Sequence, residues 1–412
     1  MTLSKGINNT NLKYGNRGLV LKMIATNEAR TRIDIAKKTG LSKMSVTNII
    51  NEFIKHHIVK ETEIERNDGA GRNPVVLTVA EKCKKVIGLY IFRDVVCAMK
   101  TDITNKVLEK VEYELNAENA ANIYDIIYKA IDEVTKDCSP KDILGIGVGS
   151  LGPVDVNNVV IVNPTNFYGL ENLEIGKKLE EKYGVPVFLD NIYDCAAMVE
   201  KYYGVGKHYS DFIFMGLKNG VGSGIVMNDS IFHSSSGATP ELGHISIDYN
   251  GKPCSCGNRG CLELYADSEK LRIKLMFATG KDLSFKEFCE IADKYCSAHE
   301  GDQANEKPVS EEFSKEQLDD MDMLFTDMAK AIASAVTSAV NLLHSEAFII
   351  GSDGYYLPSK YIRFIEDTIN DSKIRDKSGN ITVLKSGFGD EAHVVGCATP
   401  VLDAAFKGLI EV

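Results

Sequence analysis

The 412-residue sequence predicts a mixed α/β protein: an N-terminal winged helix-turn-helix followed by a two-lobed α/β body. Three observations predict it. Residues 1–85 hold sixteen Lys and Arg against eight Asp and Glu, a charge of +8, while the remainder holds 31 against 50, a charge of −19. The overall −11 therefore hides a basic head on an acidic body, the balance expected of a nucleic-acid contact surface joined to something else. In the head, apolar spacing gives three short helices and then a hairpin. In the body, a strand triplet followed by alternating helices and strands occurs twice, as in two related α/β lobes with a cleft.

The first head helix is carried by Leu19, Val20, Met23 and Ile24, within Gly18–Ile24. The second runs over Thr31–Thr39, with Thr31 as cap, Asp34 three residues later and Gly40 as stop. The third starts at Ser42, and Val46, Ile49, Ile50, Phe53 and Ile54 form its apolar stripe. Its other side offers Ser42, Lys43, Ser45, Thr47 and Asn48, the small polar and cationic groups a major-groove reader uses. Strands at Ile58–Glu65 and 75–79 flank a turn rich in Asn, Asp and Gly, with Arg66 and Arg72 beside its tip to meet phosphates or the minor groove. The head is expected to bind DNA and to occupy residues 1–80.

The body opens with strands over 86–92, 95–104 and 106–115, a helix near 120–136 and buried strands at 143–150 and 185–189. A helix over Ile192–Tyr203 follows, then strands at Phe212–Leu217 and Ser223–Met227. Later helices fall near 268–278, 284–295 and 315–343, with a strand at 347–350 and a closing helix at 400–409 that begins on proline. Residues 298–315 are polar and aperiodic, a loop. The expected lobes are 86–203, completed by 396–412, and 204–395. Hydrophobic residues at 44% and charged residues at 25% exclude wholesale disorder. No apolar run reaches the roughly 18 residues of a membrane span and no signal-peptide core is present, so a cytoplasmic protein with no membrane partner is expected.

His244, Cys254, Cys256 and Cys261 stand in the spacing H-x9-C-x-C-x4-C, with glycines at 251, 257 and 260 between them. Three thiols and an imidazole this close match a four-coordinate zinc site. With all four positions filled by protein, the zinc is structural and holds a loop, leaving no position for an activating water. The other seven cysteines lack such company, and no disulfide framework is required.

The segment from Gly220 to Asp267, with E-x-G-H followed by C-x-C-G-x-x-G-C-L-E, closely resembles the signature of the ROK family of sugar kinases and sugar-responsive repressors. The resemblance covers essentially the whole chain from about Asn16, including the repressors' winged helix-turn-helix. It implies the actin-like, two-lobed sugar-kinase fold, with a sugar in the cleft. The matching sugar-site positions are Gly152, Pro153, Thr165, Asn166, Asn191, Glu241, His244 and Glu263. Carboxylates, amides and an imidazole supply the donors and acceptors that sugar hydroxyls need. The resemblance also implies that His244 turns one ring nitrogen to zinc and the other toward the sugar, and that the chain forms a homodimer or homotetramer.

The resemblance departs where a kinase needs its chemistry. The carboxylate base that follows the family's Asn is here Ile192, which accepts no proton. The first phosphate loop, G-x-D-x-G-G-T in the kinases, reads GLYIFRD: Tyr90 replaces the metal-side Asp, and Phe92 and Arg93 replace glycines. In the second loop, KNGVGSG, Lys218 and Asn219 replace the first Gly-Thr, and a later G-G-G appears as Gly351-Ser352-Asp353. The expectation is a non-enzymatic, sugar-responsive transcriptional regulator, a repressor of carbohydrate-utilisation genes. It binds operator DNA through the head and a small sugar effector in the disarmed cleft.

Overall fold

The basic head begins with α1 (Asn9–Ala25), longer than the expected Gly18–Ile24. The computed structural model describes residues 9–62, 75–164, 166–299, 313–374 and 379–412. Helix α2 (Arg32–Thr39) starts where Thr31 Oγ1 accepts the Asp34 N–H at 3.1 Å, and stops at Gly40, whose φ of 72° gives the left-handed turn. Helix α3 (Lys43–Lys55) is capped by Ser42 and buries Val46, Ile50 and Phe53 toward α1 and α2. Strands β1 (Val59–Thr62) and β2 (Val76–Val79) pair antiparallel, Val59 opposite Val79. The wing tip between them, with Arg66 and Arg72, lies outside the described residues.

Two compact units result, Met1–Ile192 with Val394–Val412, and Tyr193–His393. In the first unit β3 (Lys85–Ile91), β4 (Val95–Thr101) and β5 (Val107–Glu114) form an antiparallel meander. Strands β6 (Ile143–Ser150) and β9 (Val187–Asn191) extend it in parallel, giving the order β5-β4-β3-β6-β9. All eight residues of β6 are buried, as for a parallel strand covered on both faces. Helix α4 (Ile123–Val134) packs on β4 and β5, and the closing helix Thr399–Phe406 packs on β3, β6 and β9. That helical segment lies so close that a Cβ at Gly147 would stand 2.2 Å from the Cys397 carbonyl oxygen. Helix α1 rests on the same chain end: a Cβ at Gly18 would stand 2.4 Å from the Phe406 carbonyl oxygen. The short pair β7 (Val154–Asp155) and β8 (Val160–Ile161) and helix α5 (Ile175–Tyr183) are additions to the expectation. In α5 only Ile175, Gly176 and Leu179 are buried, too few for a clear period in the sequence.

The second unit repeats this topology. Helix α6 (Ile192–Tyr203) leads to β10 (Phe212–Lys218), which pairs antiparallel with β11 (Gly220–Met227), itself paired with β12 (Ser230–Ile231). After α7 (Glu263–Ala266), α8 (Ser268–Thr279), α9 (Phe285–His299) and α10 (Lys315–Leu343), strand β13 (Ala347–Ser352) joins β10 in parallel. Helix α11 (Ser359–Ser372) then leads to β14 (Thr382–Lys385), also parallel, for the order β12-β11-β10-β13-β14. Both sheets thus have two antiparallel junctions followed by two parallel ones, as expected of two related lobes. Helix α10 is the one described helix long and apolar enough to cross a membrane. Its Phe325, Met328, Ile332 and Val336 are buried in this unit's core. Helix α11 and strand β14 lie beyond the expected elements. The α11 stripe Tyr361, Ile362, Ile365 and Ile369 has helical spacing, whereas β14 is four residues with one buried, too short to show a period.

Candidate functional site

The DNA-reading expectation rests on α3. Its hydroxyls are largely engaged by the helix itself. Ser42 Oγ accepts the Ser45 N–H at 3.0 Å and lies 2.9 Å from Ser45 Oγ, and Thr47 Oγ1 donates to the Lys43 carbonyl at 2.8 Å. Ser42 is therefore first a cap, a role worth about 1 kcal/mol. Lys43 and Asn48 are exposed, as is Asn51 one turn on. Arg32 from α2 donates to Asn51 Oδ1 at 3.2 Å and pairs with Glu61 on β1, so one guanidinium ties helix, helix and wing strand together.

Arg17 holds the head from the other side. It is buried, pairs with Glu52 on α3 and reaches Glu411 near the chain end at 3.6 Å, with its guanidinium 5.6 Å from the Phe53 ring centroid. Arg17→Ala leaves Glu52 without its partner and opens the packing on Phe53. The expected result is a loss of about 2–3 kcal/mol in unfolding free energy by urea titration, together with weaker DNA binding. An unchanged urea midpoint would show that the contact is incidental.

The four predicted metal donors come together in the second unit. His244 ends a short 3₁₀ turn, Leu242–His244, and the three cysteines follow on a loop. Backbone bonds from Ile247 N–H to the Gly260 carbonyl, 2.9 Å, and from Leu262 N–H to the Ile245 carbonyl, 3.0 Å, fold that loop back. Gly260 has a φ of 61° and sits so near Asp248 that a Cβ would lie 1.8 Å from its carbonyl oxygen, so only glycine fits. The donor atoms all lie within 4.8 Å of one another, with Cys254 Sγ 3.7 Å from His244 Nδ1 and Cys256 Sγ 3.6 Å from Cys261 Sγ. A tetrahedron with arms of about 2.0–2.3 Å has edges of about 3.5–3.8 Å, so both separations suit one ion. The thiols also behave as a cluster that a cation would complete. Burial raises Cys254, but hydrogen bonds from the Cys256 backbone and from the Cys256, Cys261 and His244 side chains outweigh it and hold the thiol at about 7. Burial and the neighbouring thiols push Cys261 up to about 12. One thiolate is favoured and the next repelled until a positive charge intervenes.

The expected sugar-site positions fall some in one unit and some in the other. In the first unit Gly152 and Pro153, joined by a cis peptide, follow β6, and Asn166 is exposed with a φ of 56°. Thr165 lies outside the described residues. Asn191 ends β9 in register with Ser150 at the end of β6. Ser150 is fully buried and its hydroxyl has no hydrogen-bond partner among the described residues, a polar group beside Asn191 that lies outside the family motif. In the second unit Glu241 precedes the His244 turn and Glu263 opens α7. Glu241 keeps solvent access, yet the protein around it desolvates its carboxyl and raises its pKa; His244 opposes that rise and Glu263 adds to it. Lys270 Nζ reaches Glu263 at 3.9 Å.

The expected phosphate-loop positions carry packed side chains. Tyr90 and Phe92 are buried and stacked at 5.8 Å with an interplanar angle of 9°, and Arg93 lies 5.4 Å from the Phe92 centroid. Tyr168 Oη closes this region by donating to the Arg93 carbonyl at 2.7 Å. Ile192 is buried. In the second unit the glycines of β10 and β11 enclose the Tyr193 ring: a Cβ at Gly216 would stand 2.1 Å from Tyr193 Cε1 and one at Gly222 2.0 Å from its Cδ2. Asp194 is fully buried with its Oδ2 3.6 Å from His233 Nε2. Ser352 Oγ lies 3.1 Å from His393 Nδ1, and Asp353 accepts from Ser268 Oγ at 2.7 Å.

A helix-turn-helix head, two sheets of the same sugar-kinase-like topology and a Cys3His cluster define the class: a head-bearing protein of kinase-like fold. The chain belongs to the ROK family, whose profile matches residues 94–404. It is 31% identical over 285 residues to the xylose repressor of Bacillus spizizenii, covering 69% of this chain and 73% of that one. It is 28% identical over 400 residues to the xylose repressor of Caldicellulosiruptor bescii, covering 96% and 97%. Among solved structures, a ROK family transcriptional regulator described as a homologue of the Escherichia coli Mlc protein aligns with a TM-score of 0.75 at 22% identity. That alignment covers 97% of this chain and 98% of the other, and it supports the fold.

Proposed function

We propose that this protein is a sugar-responsive transcriptional repressor of carbohydrate-utilisation genes that acts in the cytoplasm without catalysing phosphoryl transfer. The observation that carries the reading is the filled first phosphate loop, Tyr90 stacked on Phe92, behind a capped helix-turn-helix. A kinase needs glycine there for backbone amides to approach phosphate, and a carboxylate where Ile192 stands. The full-length similarity to a xylose repressor makes xylose the first effector to test.

In this reading Lys43, Ser45, Thr47 and Asn48 face operator DNA, Ser42 caps their helix, and Arg66 and Arg72 of the wing meet the phosphates. A homodimer or homotetramer presents paired heads to paired half-sites. Gly152, Pro153, Thr165, Asn166 and Asn191 of the first unit, and Glu241, His244 and Glu263 of the second, supply the sugar contacts. Sugar binds one arrangement of the heads more tightly than the other, and its differential affinity sets how much DNA is released. Zinc on His244, Cys254, Cys256 and Cys261 fixes the imidazole and the loop behind it, with no catalytic part.

The test is fluorescence anisotropy on duplexes selected from a random library, with xylose, glucose and N-acetylglucosamine added in turn, beside a coupled ADP assay. Binding that weakens steeply with salt, release by at least one sugar and no sugar-dependent ADP are expected. Sugar-dependent ADP formation that Asp190→Ala or Asp194→Ala abolishes would overturn the reading.

A further inference from the structure

Helix α3 places an apolar residue in the middle of its polar face. At 100° per residue, Met44, Thr47, Asn48 and Asn51 fall within one arc, opposite the buried Val46, Ile50 and Phe53. Met44 is 71% exposed, on the first turn of the helix, and Lys43 beside it is exposed as well. Its polar neighbours are less available than their chemistry suggests: Ser42 and Ser45 are bonded to each other, and Thr47 to the Lys43 carbonyl. Lys43, Met44 and Asn48 therefore present the free surface at the start of this helix, Asn51 being held by Arg32. An exposed, unbranched thioether side chain among cationic and amide groups has one apolar feature to meet in a major groove, the 5-methyl group of thymine.

We infer that Met44 is a specificity-determining residue that reads a thymine methyl in each operator half-site. The occupant of this surface is duplex DNA rather than another protein, because Met44 stands among cationic and amide groups and residues 1–85 carry +8 against −19 on the rest of the chain. The inference rests on the DNA-binding reading above. It differs from a backbone contact, because a methyl contact carries sequence information and no salt dependence.

The experiment replaces each thymine of the selected duplex by uracil, one at a time, which removes only the methyl group. Wild-type protein is expected to lose about threefold to tenfold in affinity at one position per half-site. Met44→Ala is expected to bind the parent duplex more weakly, to keep the wild-type salt slope and to become indifferent to uracil at that position. Met44→Leu, which keeps an apolar side chain, retains the sensitivity. Uniform tolerance of uracil by the wild type, or undiminished sensitivity in Met44→Ala, overturns the inference while leaving DNA binding intact. Failure of the wild type to select any duplex overturns the DNA reading and this inference with it.

Discussion

Cys256→Ser is expected to lower bound zinc from about one per chain to near zero and to loosen the loop from Gly243 to Leu262 without unfolding the second unit. A structural zinc contributes roughly 10–16 kcal/mol in small zinc peptides, because the ligands have no other reason to converge. In this loop backbone bonds such as Ile247 N–H to the Gly260 carbonyl already bring the two sides together, so an ion would chiefly pin the tip. Leu242, Cys261 and Leu262 are buried at its ends, but residues 255–259 between them are exposed. Cys256 itself is exposed, so replacing its sulfur removes a ligand without creating a core cavity. The core of the unit, around Phe325, Ile332, Phe348 and Ile365, takes in Leu242 and Leu262 at the ends of the loop but not Cys256. Three readouts separate the outcomes. Elemental analysis follows the zinc, trypsin cutting at the exposed Lys252 and Arg259 follows the loop, and sugar-dependent DNA release follows the function. Zinc loss, faster cutting and a weaker sugar response are expected together. Retention of about one zinc per chain by Cys256→Ser would contradict the four-ligand assignment.

Tyr193→Ala is expected to cost about 3–5 kcal/mol, as large aromatic truncations in a packed interior do. Its ring lies in a nest formed by Gly216 and Gly222, where any side chain would collide with it. Gly222→Ala alone is therefore expected to destabilise by about 1–3 kcal/mol through overpacking. In the Tyr193→Ala background the added methyl has room, and most of that cost should vanish. A double-mutant cycle by urea unfolding measures the coupling, expected at roughly 0.5–3 kcal/mol. Equal costs in both backgrounds would show that the ring is not what requires glycine there. In the sequence Gly222 reads as part of the remnant of a nucleotide loop; in the structure it accommodates, with Gly216, an aromatic side chain.

That change of meaning recurs. The cap at Thr31 and the stop at Gly40 were legible because both are local, one a side chain meeting an amide three residues away and the other a glycine that takes the left-handed turn. The metal cluster was legible for the same reason, since its four donors lie within 18 residues and glycines let the loop turn back. Helix α5 and strand β14 were not, because each buries too few residues to impose a period. Met44 carries no polar group to mark it as a base reader, although the same stripe that buries Val46 and Ile50 dictates its exposure.

By itself the sequence determined the basic head, the cysteine and histidine donors and the duplicated α/β pattern, and it puts Ile192 where the family resemblance places the kinase base. These depend on residue identity and short spacing, which survive without coordinates. Only the tertiary structure decided that Arg17 clamps α3 to the chain end, that Tyr90 stacks on Phe92 and that Tyr193 fills the glycine nest. Each of the clamp and the nest joins residues more than twenty positions apart, and their energies come from packing and from removing charge and ring surface from water. The Tyr90–Phe92 stack is close in sequence, yet its burial depends on the sheet and loops folded around it. No local pattern carries that information.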